Sequence, residues 1–256
     1  MTEEDLDYEQ LNMDGIFALL SGEFKKAREF FQKAITINEV PFEAYSNLGK
    51  VSMLEENIDE GIKYFLKAIE LNDQYVEALH NLGVANYKKK NLEKAIDYYQ
   101  KAIAIDDKYF ESWFNLGNSF FERGELEEAL KYYLKVIEVN PNYADAFFNL
   151  GNTYREMGQI EKSIQAYEEL LKIRQDDATV FYNLGYVYQT SNNLIKAIDN
   201  YKEAIKLQKN YLRAIINLGI AYQENGNVIE AKEMFLKSLE LNPDLEFVKE
   251  KIKQIK

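Results

Sequence analysis

The stretch Phe147-Phe148-Asn149-Leu150-Gly151-Asn152 (FFNLGN) has a near twin running from Trp113 to Asn118 (WFNLGN). Both place Asn and Gly, two poor helix formers, inside a chain that is otherwise rich in helix formers. The tripeptide Asn-Leu-Gly starts at Asn47, Asn81, Asn115, Asn149, Asn183 and Asn217, each step being 34 residues, and Gly15 extends the glycine series one step back. A fixed period of this length without insertions marks a repeat array, in which each unit buries its apolar face against its neighbours.

With each of these glycines as position 8, seven repeats begin at Tyr8, Phe42, Val76, Phe110, Ala144, Ala178 and Leu212. Position 4 is mostly large and apolar, as in Tyr45, Trp113 and Phe147, and position 7 is Leu except at Asp14. Position 20 is small, as in Ala95, Ala129 and Ser163. Position 24 is always aromatic: Phe31, Phe65, Tyr99, Tyr133, Tyr167, Tyr201 and Phe235.

These residues resemble the tetratricopeptide repeat family, whose 34-residue pattern is W-x2-L-G-x2-Y…A-x3-F…P. Trp113, Leu116, Gly117, Phe120, Ala129, Tyr133 and Pro141 follow it within one repeat, and the resemblance spans residues 8–245. It implies an all-α fold, a right-handed superhelical solenoid of seven helix-turn-helix repeats. Residues 1–7 then form an acidic N-terminal extension. Residues 246–256 form a C-terminal capping helix with Phe247, Val248, Ile252 and Ile255 turned towards the last repeat. Turn residues near positions 14 to 16, such as Gly124, Gly158 and Gly226, separate a first helix from a second one running from position 17 to position 30.

Composition narrows the chemistry. The 256 residues include no cysteine and a single histidine, His80, which excludes disulfides, thiolate catalysis and Cys-based metal sites. A net charge of -12 argues against nucleic acid, whose binding draws on clustered Lys and Arg, and favours neutral or basic partners. Neither a membrane span nor a signal peptide is legible, so a cytoplasmic protein is expected. No cofactor, phosphate loop or nucleophile elbow is indicated, and the chain reads as a non-enzyme.

Residues of a helix turn by about 100° each, so positions 4, 7, 8 and 11 of the first helix share a packing side, while positions 2, 5, 6, 9, 12 and 13 share the other. The resemblance places that second side on a concave groove. There Asn47, Asn81, Asn115, Asn149, Asn183 and Asn217 at position 6 form a ladder, thickened by Asn118 and Asn152 at position 9. A primary amide both donates and accepts, matching the peptide unit of an extended chain. Phe114, Phe148 and Tyr182 at position 5 offer aromatic anchors, and His80 at the same position reads as a groove-surface residue.

Position 2 supplies an acidic row, Glu43, Glu77, Glu111 and Asp145. Either it faces a basic partner or it serves the positive end of each helix dipole. Some members of the family grip C-terminal carboxylates with a clamp of lysines, arginine and asparagines. Asn152, Asn183 and Arg213 match three of its slots, but Phe148 and Asn217 fill the slots of the other cations, so no such clamp is expected. The resulting expectation is a protein-interaction adaptor holding an extended or helical peptide. The alternatives are a self-associating scaffold and the recognition partner of a separately encoded enzyme.

Overall fold

A computed structural model describes residues 7–255, among which there are fifteen α-helices and no strand. Two compact units divide them, the first ending at Val139 and the second beginning at Asn140. The first unit holds α1 (Tyr8–Leu20), α2 (Phe24–Ile37), α3 (Phe42–Leu54), α4 (Ile58–Leu71), α5 (Val76–Lys88), α6 (Leu92–Ile105), α7 (Phe110–Glu122) and α8 (Leu126–Val139). The second holds α9 (Ala144–Glu156), α10 (Ile160–Ile173), α11 (Ala178–Thr190), α12 (Leu194–Leu207), α13 (Leu212–Glu224), α14 (Val228–Leu241) and α15 (Glu246–Gln254). The odd-numbered helices up to α13 are the first helices of the 34-residue periods, and each packs on the helix that follows it.

A local device ends each first helix. Position 15 takes a left-handed backbone in every repeat, with φ of 77° at Gly124 and 61° at Asn192. Around Gly124 the chain closes with Glu125 N–H donating to the Phe120 carbonyl and Gly124 N–H to that of Phe121, both at 2.9 Å. This double closure satisfies helix-end carbonyls and reverses the chain in three residues.

Within a pair, position 8 meets position 24. A Cβ added to Gly117 would stand 2.5 Å from a ring carbon of Tyr133, and one added to Gly151 would stand 2.6 Å from the Tyr167 ring. Both rings are almost wholly buried. The glycine inside the helix is thus the condition for the aromatic core, because only a missing side chain lets the ring lie on the backbone. Position 20 is small for a related reason: Ser163 Oγ donates to the Gly151 carbonyl at 2.7 Å.

Successive first helices meet one residue out of register, position p of one repeat against p+1 of the next. Tyr8 with Glu43, Asn12 with Asn47 and Tyr87 with Glu122 follow this rule in the first unit, as Tyr182 with Asn217 and Gln189 with Glu224 do in the second. The helical wheel also omits a third packing surface. Positions 3 and 10 are fully buried in α3, α5 and α7 as Ala44, Ala78, Ser112 and Val51, Ala85, Ser119. Ala44 lies against Ala34, and Val51 against Ala27 and Phe31, all from the preceding pair.

The expected C-terminal helix is α15, but Phe247 is 46% exposed rather than turned inward. Val248 is buried against Ala231 and Phe235, with Leu245, Ile252 and Ile255 beside it. The reason is register: α15 continues the 34-residue frame as a first helix, which makes Val248 the buried position 3.

Candidate functional site

The position 5 side chains are not simply groove floor, because each lies on the position 24 ring of its own repeat. His80 is 5.6 Å from Tyr99, Phe114 5.9 Å from Tyr133, Phe148 6.2 Å from Tyr167, and Tyr182 6.0 Å from Tyr201, centroid to centroid. Phe114, Phe148 and Tyr182 are half-buried, so one part of each rests on the core and the rest meets solvent. His80 departs from the sequence reading. It is buried between Tyr99 and Tyr109, and its Nδ1 lies 2.9 Å from Ser112 Oγ. That burial pushes the imidazole down to about 4, the nearby Glu77 carboxylate acting weakly in the other direction.

The asparagine row divides into several kinds. Asn47 is buried, donates to Asn12 Oδ1 at 2.9 Å and accepts from Lys50 Nζ at 3.1 Å. Asn217 donates to the Tyr182 hydroxyl at 3.3 Å. These two link adjacent first helices through the one-residue offset. In the same slot between α3 and α5, Ser46 Oγ and Asn81 Nδ2 are enclosed and make no hydrogen bond. Asn183 is buried, whereas Asn115 and Asn149 are half-buried.

Position 9 behaves differently. The Tyr133 hydroxyl donates to Asn118 Oδ1 at 2.9 Å, and the Tyr167 hydroxyl to Asn152 Oδ1 at 2.8 Å. The core ring thereby reaches through the helix pair and orients a surface amide. With its carbonyl engaged, Asn152 turns an N–H donor function to whatever lies over it. One residue outside the expected set joins this surface: the Arg155 guanidinium lies 5.7 Å over the ring of Tyr186, which is 40% exposed. Helical spacing would have found it, since Asn149, Asn152 and Arg155 recur every three residues on α9.

The acidic row is largely engaged by the protein itself. Glu43 accepts from the Tyr8 hydroxyl at 3.0 Å, and burial with that carboxylate raises the phenol well above its ordinary value. Burial works to raise the Glu77 carboxyl, but Lys50 and Tyr75 outweigh it and hold it below the usual carboxylate range. Asp145 pairs with Arg174 at 2.8 Å. Glu111 is half-buried in the first turn of α7.

Comparison with known proteins agrees with the repeat fold. Models described as "TPR repeat" match residues 117–158 and 151–192, and others described as "Tetratricopeptide repeat" match 41–108, 98–131, 16–41, 178–211 and 212–245. No curated protein matches the sequence. Among solved structures, the C-terminal part of a TPR repeat-containing protein from Cytophaga hutchinsonii is similar with a TM-score of 0.79 at 17% identity, over 92% of this chain and 97% of that one. YrrB, described as a TPR protein with an unusual peptide-binding site, gives 0.63 at 23% identity over 72% of this chain and 95% of its own. MamA gives 0.61 at 25% identity over 63% and 95%. Among the described residues no helix is long and apolar enough to cross a membrane.

Proposed function

Because the chain belongs to the tetratricopeptide repeat family, a fold that serves as a protein-interaction scaffold, we propose that it is a non-catalytic adaptor that holds an extended peptide on the exposed side of its first helices. The observation that carries this reading is the Tyr167–Asn152 hydrogen bond. A surface amide whose carbonyl is held by a buried ring is a preorganised donor, suited to the carbonyl oxygens of a bound backbone. Phe148 and Tyr182 in the same unit supply half-buried aromatic surface for side chains of the peptide. In the first unit the Tyr133 hydroxyl holds Asn118 Oδ1 in the same way, and Asn115 and Phe114 are half-buried there.

The reading favours a partner recognised chiefly through its main chain. A basic partner is favoured only weakly, since Glu43, Glu77 and Asp145 already have partners and Arg155 adds a cation to the proposed surface. The self-association and enzyme-partner alternatives take nothing from these contacts.

The test begins by selecting binders from a displayed random-peptide library on the immobilised protein. Affinity for a selected peptide is then measured for the wild type and for a variant carrying Asn149→Ala with Asn152→Ala. Loss of about tenfold or more in affinity with an unchanged helical circular dichroism signal is expected. Equal affinity of the two proteins would remove the amides from the binding site.

A further inference from the structure

We propose that the outer face of α1 is a self-association surface that pairs with α1 of a second copy, antiparallel and about a two-fold axis. This helix is apolar on two sides. Leu11, Gly15 and Ala18 are buried against the rest of the first unit, whereas Met13, Ile16 and Leu20, at the groove-side positions 6, 9 and 13, form with Phe17 at position 10 a second, exposed stripe. Phe17 is 74% exposed and Leu20 82%. Side chains at this i, i+3, i+4, i+7 spacing make one continuous strip along a helix, and contiguous exposed strips of this kind mark interaction sites.

The residues of α1 at the repeat-stacking positions exclude one occupant. In α3, α5 and α7 the preceding helix pair packs onto positions 3 and 10, which are Ala or Ser and Val, Ala or Ser, all fully buried. In α1 the same positions are Gln10 and Phe17. A helix pair arriving in repeat register, whether from another copy stacked head to tail or from a further repeat, would find these bulkier side chains in slots sized for small ones.

Charge selects the arrangement that remains. Glu9 lies one turn before Met13 on the same line. Beyond the other end of the strip, the first turn of α2 carries exposed Lys25 and Lys26 and no acid. Cations there oppose the helix dipole; α4 and α8 carry acids instead (Asp59, Glu60; Glu127, Glu128), whereas the first turn of α12 also lacks an acid. Lys26 pairs with Glu23 at 2.6 Å, and the fold gives the exposed Lys25 no comparable role. The strip is therefore acidic at one end and basic at the other. Antiparallel pairing sets each acidic end beside the partner's lysines, whereas parallel pairing sets like against like.

Sedimentation velocity of the full chain without added peptide, over a wide range of protein concentration, tests this. A mass rising from 30.0 kDa to a plateau at twice that value is expected. Phe17→Glu with Leu20→Glu should weaken dimerisation by at least about tenfold while leaving the thermal melt unchanged, as both side chains are exposed. Glu9→Lys alone, and Lys25→Glu with Lys26→Glu, should each weaken the dimer, and all three changes together should restore it. A strict monomer, species growing beyond the dimer, a dimer indifferent to the Phe17 and Leu20 changes, or failure of the combined charge swap would each overturn the proposal. The readout needs no ligand, so failure of the peptide-adaptor reading leaves it standing, and the reverse holds.

Discussion

Asn47 donates from Nδ2 to Asn12 Oδ1 across 2.9 Å, joining α3 to α1 through side chains that a helical wheel assigns to the groove. Asn47 is 4% exposed, so its amide is buried, while the acceptor Asn12 is half-buried. Asn47→Ala should therefore lower stability by about 1 to 3 kcal/mol, read as a lower urea midpoint at unchanged slope. Asn115→Ala, at the same position of a later repeat but only half-buried, should stay within about 0.5 kcal/mol of the wild type. If the two substitutions proved equally costly, the division of the row into structural and surface members would fail.

Gly117 shows the cost of adding a side chain rather than removing one. Alanine gains about 1 kcal/mol of helix propensity over glycine, but its Cβ would enter the Tyr133 ring at 2.5 Å. Overpacking typically costs about 1 to 3 kcal/mol and can cost more where the neighbour is a buried ring. Gly117→Ala is expected to destabilise on balance, and chemical unfolding measures it. A stabilised variant would mean that the ring can slide aside.

How much of this was legible in the sequence depends on how many neighbours a helix has. The period and the helix bounds follow from one strong constraint, a ring on a bare backbone, which leaves Gly and an aromatic in every repeat. A wheel, however, divides a helix into two sides, while α3, α5, α7 and α13 each pack on their own partner and on both helices of the preceding pair. Position 5 and position 6 residues such as His80 and Asn47 thus became contacts between repeats. The signal was present in the run of small residues at positions 3 and 10, which a packing surface explains and a groove does not.

The Tyr167 hydroxyl gives a direct test of orientation by the core. Tyr167→Phe keeps the ring under Gly151 and removes only the hydrogen bond to Asn152. Stability should fall by about 0.5 to 1.5 kcal/mol, and affinity for a selected peptide should fall several-fold because the Asn152 amide is no longer held. Calorimetric titration of that peptide separates the two effects. Unchanged affinity alongside lowered stability would reduce the hydrogen bond to a purely structural role.

His80 predicts how stability depends on pH. Its folded-state value is pushed down to about 4 from an ordinary 6.5 by burial, so the folded protein holds the neutral ring more firmly than the unfolded chain does. The stability this contributes is complete above pH 6.5 and is lost as pH falls from 6.5 towards 4, by an amount on the order of 3 kcal/mol. The groups around the ring are Glu77, Tyr99, Tyr109 and Ser112, and burial pushes the Tyr109 phenol up to about 12, so neither phenol titrates in this window. Glu77, held below the usual carboxylate range, keeps its contribution down to about its ordinary value of 4.5 and loses it only below that. Melting temperature between pH 7 and pH 5 therefore isolates the histidine. His80→Phe, which takes the residue found at the same position as Phe114, should flatten the curve there. A wild-type slope that persists in the variant would place the sensitivity elsewhere.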